Sequence, residues 1–162
     1  MLDIQREYIT DKKTIHIHAP RSTVFDVVTS IGGQNGWYYA NALWQIRGWI
    51  DEQLGGVGIA RGRLHPQQLS VGDYLDFWRV EAWEEHKLLR LRAEMKIPGK
   101  AWLEYQLTTN EENSTTIVKQ TAYYEPHGVW GYLYWYAMVP AHYFIFNGIV
   151  REIKQRTEKK GM

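Results

Sequence analysis

The sequence predicts an α+β fold: an antiparallel sheet of about six strands, two short helices after the first strand, and a long C-terminal helix laid across the sheet. Three observations lead there. An apolar period of two runs through the middle of the chain, from about 58 to 124. Its turns are short, and sequential strands joined this way pair antiparallel. Finally, residues 129–150, VWGYLYWYAMVPAHYFIFNGIV, are 22 residues without an Asp, Glu, Lys or Arg. A sheet with one apolar face needs a cover, and only this stretch is apolar enough to be one.

The elements follow in order. Residues 13–19, KTIHIHA, alternate Ile15 and Ile17 against His16 and His18, the pattern of a first strand. Residues 1–12 are charged throughout and read as an N-terminal extension of a single domain over 13–160. Pro20 suits the first turn of a helix. Val24, Phe25, Val28 and Ile31 then form an apolar stripe, which Gly32 and Gly33 end. A second helix is predicted over 37–54, from Ala40, Leu43, Trp44, Arg47, Ile50 and Leu54 at steps of three and four. Strands are predicted near 58–64, 74–83, 87–96, 100–109 and 115–124, with HPQQ, EEHK, IPG and TNEENS as turn signals. The charge-free stretch continues into REIKQRTEKK, so the last helix extends to about 159.

Period two also sorts faces. Asp76, Trp78, Val80, Leu89, Leu91, Leu103, Tyr105, Val118, Gln120, Ala122 and Tyr124 point inward. A three-residue turn at Ile97-Pro98-Gly99 sets Arg92 opposite Glu104 on the outer face. Arg79 then faces Glu94, and Glu81 faces Arg92, giving a charge ladder.

Composition narrows the function. The net charge is +1 and 23% of residues are charged, so no basic bias points to nucleic acid. There is no cysteine, hence no disulfide framework and no thiolate chemistry. A cytoplasmic protein is expected. The 129–150 stretch has the length of a membrane span. Its composition argues against one, because eight of the 22 are aromatic and Pro140, His142 and Asn147 interrupt it. Eight Trp and 11 Tyr exceed what a core of this size needs, and such a surplus suits a pocket for an apolar ligand.

The strings GWYYANALWQIRGWID, GGVGIARGR, VGDYLDFWRVE, LLRLRAEMKIPGKAWLEY and GYLYWYAMVPAHYFIF extend a likeness over about 13–156. Together with the element order they resemble the helix-grip plan of the SRPBCC superfamily, which includes START lipid-transfer domains, birch-pollen-allergen-like proteins and polyketide cyclases. They are similar to one family of unknown function within it, which often follows an NAD(P)-binding domain of the epimerase or NmrA-like type. The resemblance implies a curved sheet of about six or seven strands wrapped around the last helix, with a space between them for small apolar molecules. It also implies a separate NAD(P)-dependent reductase as a partner. No segment of this sequence resembles that reductase domain, so its activity is not carried over.

GGVGIARG at 55–62 resembles a dinucleotide fingerprint, but it has three residues before the last Gly and follows a helix instead of a strand. It reads as a helix stop and turn, and no cofactor is expected. His16 and His18 share a strand face and could chelate, although two such His are more often solvated; no metal is expected. No HExxH, GxSxG or Cys nucleophile is present. Met138, His142, Ile145, Ile149 and Ile153 share one stripe of the last helix, so His142 faces the sheet. The expected ligand-binding set is Trp78, Tyr105, Gln120, Tyr124, Met138, His142, Ile145 and Ile149. Arg47, Arg61 and Arg63 could frame a cavity mouth. Two functions follow: a module binding a small apolar molecule, or a cyclase- or dehydratase-like enzyme using His142 as acid or base with Asp76 to orient it.

Overall fold

The computed structural model describes residues 8–58, 62–63, 69–110 and 115–160. Along the chain come β1 (Ile9–Ile17), α1 (Arg21–Thr29), a 3-10 turn (Gly33–Asn35), α2 (Asn41–Gln53), β2 (Tyr74–Leu75), β3 (Trp78–Glu84), β4 (Leu88–Ala93), β5 (Gly99–Asn110), β6 (Thr115–Pro126) and α3 (Gly128–Lys160). The six strands form one antiparallel sheet in the order β1-β6-β5-β4-β3-β2. β2 to β6 are a meander, and β1 closes it beside β6. This is the predicted sheet gripping a long C-terminal helix. β1 begins at Ile9, earlier than the strand expected from 13. Of the strand expected at 58–64, Gly58, Gly62 and Arg63 are described; Arg63 bridges Leu75, and the rest lies outside the described residues.

The inward face is the one the alternation predicts. Leu89, Leu91, Leu103, Tyr105, Val118 and Gln120 are all buried. α3 supplies the facing layer with Ile145, Ile149 and Ile153, and each buried Ile contributes roughly 2–3 kcal/mol of transfer free energy. Val24, Phe25 and Val28 of α1 and Ile31 complete the core. α1 ends at Thr29 with Ser30 as its C-cap; Gly32 beyond it has φ 84°, and a Cβ there would sit 2.6 Å from Leu75, so both conformation and space select glycine. At the other end Gly131 lets α3 approach the β4–β5 loop, where a Cβ would lie 2.6 Å from the Pro98 carbonyl oxygen.

Three local expectations are corrected. The strand expected over 74–83 reverses at Asp76-Phe77, a two-residue turn that pairs Leu75 with Trp78. Asp76 has φ 54° there, a conformation Asp tolerates better than most residues. The second helix starts at Asn41 and not near 37, because Tyr38 and Ala40 also have positive φ. The Asn41 side chain instead accepts the Trp37 backbone N–H at 2.8 Å.

The third correction is register. Arg90, not Arg92, stands opposite Glu104, and Arg92 stands opposite Trp102. The β4–β5 connection is longer than three residues, because the Lys96 backbone N–H leaves the ladder to donate to Asp51. Arg90 donates to Glu104 at 2.6 Å, and Glu104 is only 1% exposed. A bulge between Val80 and Ala82 displaces Glu81, which accepts the Trp102 indole N–H at 3.2 Å in place of the expected Arg92. Arg79 lies opposite Arg92 yet still reaches Glu94 diagonally with two hydrogen bonds.

Two stability predictions follow from this packing. A double-mutant cycle on Arg90 and Glu104 should give a coupling of at least about 1 kcal/mol, because Glu104 is desolvated. The same cycle on Arg92 and Glu104 should give about zero; the reverse ranking by urea unfolding would return the register to the sequence expectation. Replacing Asp76 by Ala should cost roughly 2–4 kcal/mol, and replacing it by Asn clearly less, since Asn tolerates positive φ and keeps an acceptor.

Candidate functional site

A cavity of about 310 Å³ lies between α2, the middle of α3 and the concave face of the sheet. The sheet contributes Trp78, Ala101, Ala122 and Tyr124, and the β4–β5 loop contributes Met95 and Ile97. Two of the sheet positions are alanines, which leave space where Leu or Phe would fill it. α2 supplies Trp44 and Arg47 inside, with Leu43, Ile46 and Ile50 at a more exposed rim. α3 supplies Tyr134, Trp135, Met138, Ala141, His142 and Phe146, together with Ile145.

One buried carboxylate holds two of these walls. Asp51 of α2 is fully buried. It accepts the backbone N–H groups of Gly58 at 3.0 Å and Lys96 at 2.6 Å. Arg47, one helical turn earlier, lies 3.9 Å from the same carboxylate and donates to the Lys96 carbonyl at 3.4 Å. So α2, the turn after it and the β4–β5 loop meet at one point.

The expected residues divide. Trp78, Tyr124, Met138, His142 and Ile145 line the cavity. Tyr105 and Gln120 pair across β5 and β6, and Ile149 packs nearby on α3; all three are buried in the core and off the cavity wall. Burial raises the Tyr105 hydroxyl well above the usual phenol range, with Tyr38 adding to it. Asp76 is also off the wall. It accepts the indole N–H of Trp37 at 2.9 Å and the backbone N–H of Gly33 at 3.2 Å. Arg63 donates to the carbonyls of Thr29 and Ile31 at the end of α1, away from the cavity lining. Arg61 lies outside the described residues. His16 and His18 are exposed, and no cluster of three or more His, Asp or Glu able to hold a metal occurs among the described residues.

His142 sits between rings, 5.1 Å from Trp135 edge-on and 5.1 Å from Phe146 in a stack. Burial lowers its pKa, and Asp11 on β1 partly offsets this. Asp11 is itself paired with Lys13. A neutral imidazole therefore faces the cavity, and its Nδ1 has no partner among the described residues. Tyr124 stacks on Trp135 at 5.3 Å, and its hydroxyl donates to the Pro98 carbonyl at 2.8 Å. Its pKa is pushed up to about 12 by burial, with Tyr134 adding to it.

The α2 wall is what residue patterns missed. Leu43, Trp44 and Ile50 form a helical stripe, which reads as core whether it touches a sheet or a void. The available signal was that α2 carries more apolar residues than the sheet can cover. Ile46, Trp49 and Leu54 are indeed exposed, as are Val129, Trp130, Leu133 and Tyr136 in the first turns of α3. Among the described residues no helix is long and apolar enough to cross a membrane.

Solved structures share this architecture. The ZhuI aromatase/cyclase from Streptomyces sp. R1128 matches with a TM-score of 0.57 and 12% identity, over 96% of this chain and 97% of that one. A norcoclaurine synthase from Thalictrum flavum, a point mutant in complex with a transition-state analogue, matches with 0.57 and 8% identity, over 98% of this chain and 100% of that one. The di-domain aromatase/cyclase StfQ of the steffimycin biosynthetic pathway matches with 0.60 and 5% identity, over 95% of this chain and 52% of that one. At such identities the likeness is one of fold alone, a curved antiparallel sheet with a long C-terminal helix. No curated protein matches the sequence. A family does match, over residues 4–149, and the chain therefore belongs to the proteins of unknown function grouped as DUF2867.

Proposed function

We propose that this domain binds one small apolar molecule in the cavity between α2, α3 and the sheet, without turning it over, in the cytoplasm. The observation that carries the reading is the cavity itself. It offers about 310 Å³, walled by Trp, Tyr, Met and Ile, with a few polar atoms among them. Ligand sites of small molecules have this make-up. A cyclase- or dehydratase-like reaction through His142 and Asp76 is less well supported. Asp76 is engaged by Trp37 and Gly33, so it does not orient His142. Proton-transfer catalysis gains from a base held and tuned by a second group. The fold's aromatase/cyclases remain a precedent for such chemistry, which is why loss of turnover is tested alongside loss of affinity.

A second reading has one observation in its favour. Trp130 and Tyr136 in the first turns of α3 are more than half exposed, as is Trp49 on α2, which leaves aromatic surface uncovered. It suits a face that docks on a separate NAD(P)-dependent reductase. A photo-crosslinking residue at position 130, with mass spectrometry of the products from cells, tests this. An NAD(P)-binding protein among them supports the docking, and products without one oppose it.

Titration with N-phenyl-1-naphthylamine, a neutral dye that brightens in apolar sites, tests the main reading. One dye per chain should bind. Ala141→Trp, which fills the cavity, should weaken binding at least roughly tenfold. Unchanged binding would place the dye elsewhere. His142→Phe should cost no more than about 1–2 kcal/mol of dye affinity. If a substrate is found and this variant turns it over roughly 100-fold more slowly with the fold intact, the enzyme reading wins.

The burial of His142 also sets a pH dependence. Its folded pKa is below the unfolded value of about 6.5, so the unfolded chain binds the proton more readily. Its contribution to stability is complete above about pH 6.5 and is lost as pH falls to the lowered folded pKa. Dye affinity should fall at lower pH than this, as pH drops through the lowered folded pKa itself, because only there does the folded chain take up the proton and put a charge in an apolar space. In His142→Phe both losses should vanish; a wild-type pH profile retained by the variant would assign them to another group.

A further inference from the structure

A helix that buries one side on a sheet normally turns charged residues to water on the other. α3 does so late, where Arg151, Arg156 and Lys159 are exposed. Earlier it does not. Val129, Leu133, Tyr136, Pro140 and Tyr143 are all exposed and fall on one stripe, at steps of four, three, four and three. Trp130, Tyr132, Ala137, Val139 and Phe144 flank the stripe and are exposed as well. None of these residues is charged. Helix pitch gathers them on one side of α3, in a continuous face about 22 Å long.

The size of this face is informative. Its five aromatic side chains are between 50% and 76% exposed. At roughly 150–250 Å² for each, they leave on the order of 600 Å² bare. Val129, Leu133 and Val139 bring the face to about 800 Å². The largest apolar patch of a typical monomer is about 300–600 Å². One side of a standard protein interface is about 800 Å². The face is thus too large for a free surface and the right size for half of a dimer.

The spacing and the missing charge select the occupant. Steps of four and three are those of a helix that packs along another helix. Docking on a different protein is steered by complementary charge, and this face has none to offer. A helix that lies on a lipid surface carries Lys or Arg at its margins, and 129–150 contain neither. Lys13, 5.3 Å from the Tyr143 ring centre, is paired with Asp11, and Lys100 is paired with Glu125. A second copy brings the same uncharged face, and a two-fold axis matches that face to itself.

We propose that two copies of this chain pair through 129–144 of α3 about a two-fold axis. The two faces overlap fully only when their midpoints coincide. The axis therefore passes near Ala137, the smallest side chain of the face, where the helices approach most closely. The pair uses the α3 part of the aromatic surface and leaves Trp49 of α2 outside. Tyr134, Trp135 and Met138, which line the cavity, are on the other side of α3, so the pairing does not depend on what fills the cavity.

Sedimentation equilibrium of the full chain tests this. At about 50 μM, above the micromolar limit for interfaces of this size, the mass should be twice that of one chain. Leu133→Lys and Tyr136→Lys alter exposed side chains, and circular dichroism checks that the fold is kept. Each should weaken the dimer at least roughly tenfold. Trp49→Lys changes a residue exposed to a similar degree on α2 and should not weaken it. The chain has no cysteine, so Ala137→Cys adds a single thiol. Copper-phenanthroline oxidation should join two copies through it, and should not join Trp49→Cys. A monomer at that concentration overturns the proposal. If that monomer sediments with phosphatidylcholine vesicles, the face belongs to a membrane surface; if crosslinks from position 130 lead to an NAD(P)-binding protein, it belongs to the reductase. Association that Trp49→Lys lowers as much as Tyr136→Lys is unspecific and overturns the proposal as well.

Discussion

The structure depends on one constraint: the concave face of a six-stranded sheet must be covered by a helix that brings no charge to it. Leu89, Leu91, Leu103 and Val118 cannot be left in water at roughly 25 cal/mol per Å² of apolar area. α3 meets this need in its second half, where Ile145, Ile149 and Ile153 are buried. Its first half does not settle on the sheet in the same way. There Val129, Trp130, Leu133 and Tyr136 stay exposed, while Gly131 approaches Pro98 and Trp135 stacks on Tyr124. Pro140 stands between the halves and removes one helical hydrogen bond. The cavity occupies the region where the cover is incomplete, with Met138 and His142 on its wall.

That region stays open because its far wall is anchored elsewhere. α2 is fixed through Asp51, whose carboxylate gathers two backbone N–H groups and lies near Arg47. A buried carboxylate with such partners is stable only while all of them are present. It therefore ties the position of Trp44 to that of Met95 and Ile97. Gly56 permits the approach, since a Cβ there would overlap the Asp51 carboxyl. Void and anchor are thus two sides of one arrangement: α2 is held by polar contacts at its C-terminal end, and this relieves it of the need to collapse into the core.

Much of this was legible in residue order, for physical reasons. The inner face of the sheet followed from period two, which is fixed by the pleat. His142 was placed on the sheet-facing stripe by steps of four and three, which is fixed by the helix pitch. The register of β4 on β5 was misread by two residues, because Lys96 is drawn out of the ladder by Asp51, 45 positions away in sequence. Asp76 was rightly placed inward, but as an anchor for Trp37 at a turn, and alternation cannot tell a turn residue from a strand residue. The α2 wall escaped detection because a stripe against a void has the same spacing as a stripe against a core. Tyr105 and Gln120 went the other way: polar groups on an inward face suggested a site, and they are packed in the core.

The central claim is that the space beside His142 receives a ligand. Methyl-labelled NMR of the full chain, titrated with N-phenyl-1-naphthylamine, tests it most directly. The account predicts shifts at the methyls of Ile97, Met138 and Ile145, which line the cavity, with Ile17 and Ile153 in the closed core nearly unmoved. Shifts confined to Val129, Leu133 and Leu54 on the outer surface, with the cavity methyls silent, would contradict it.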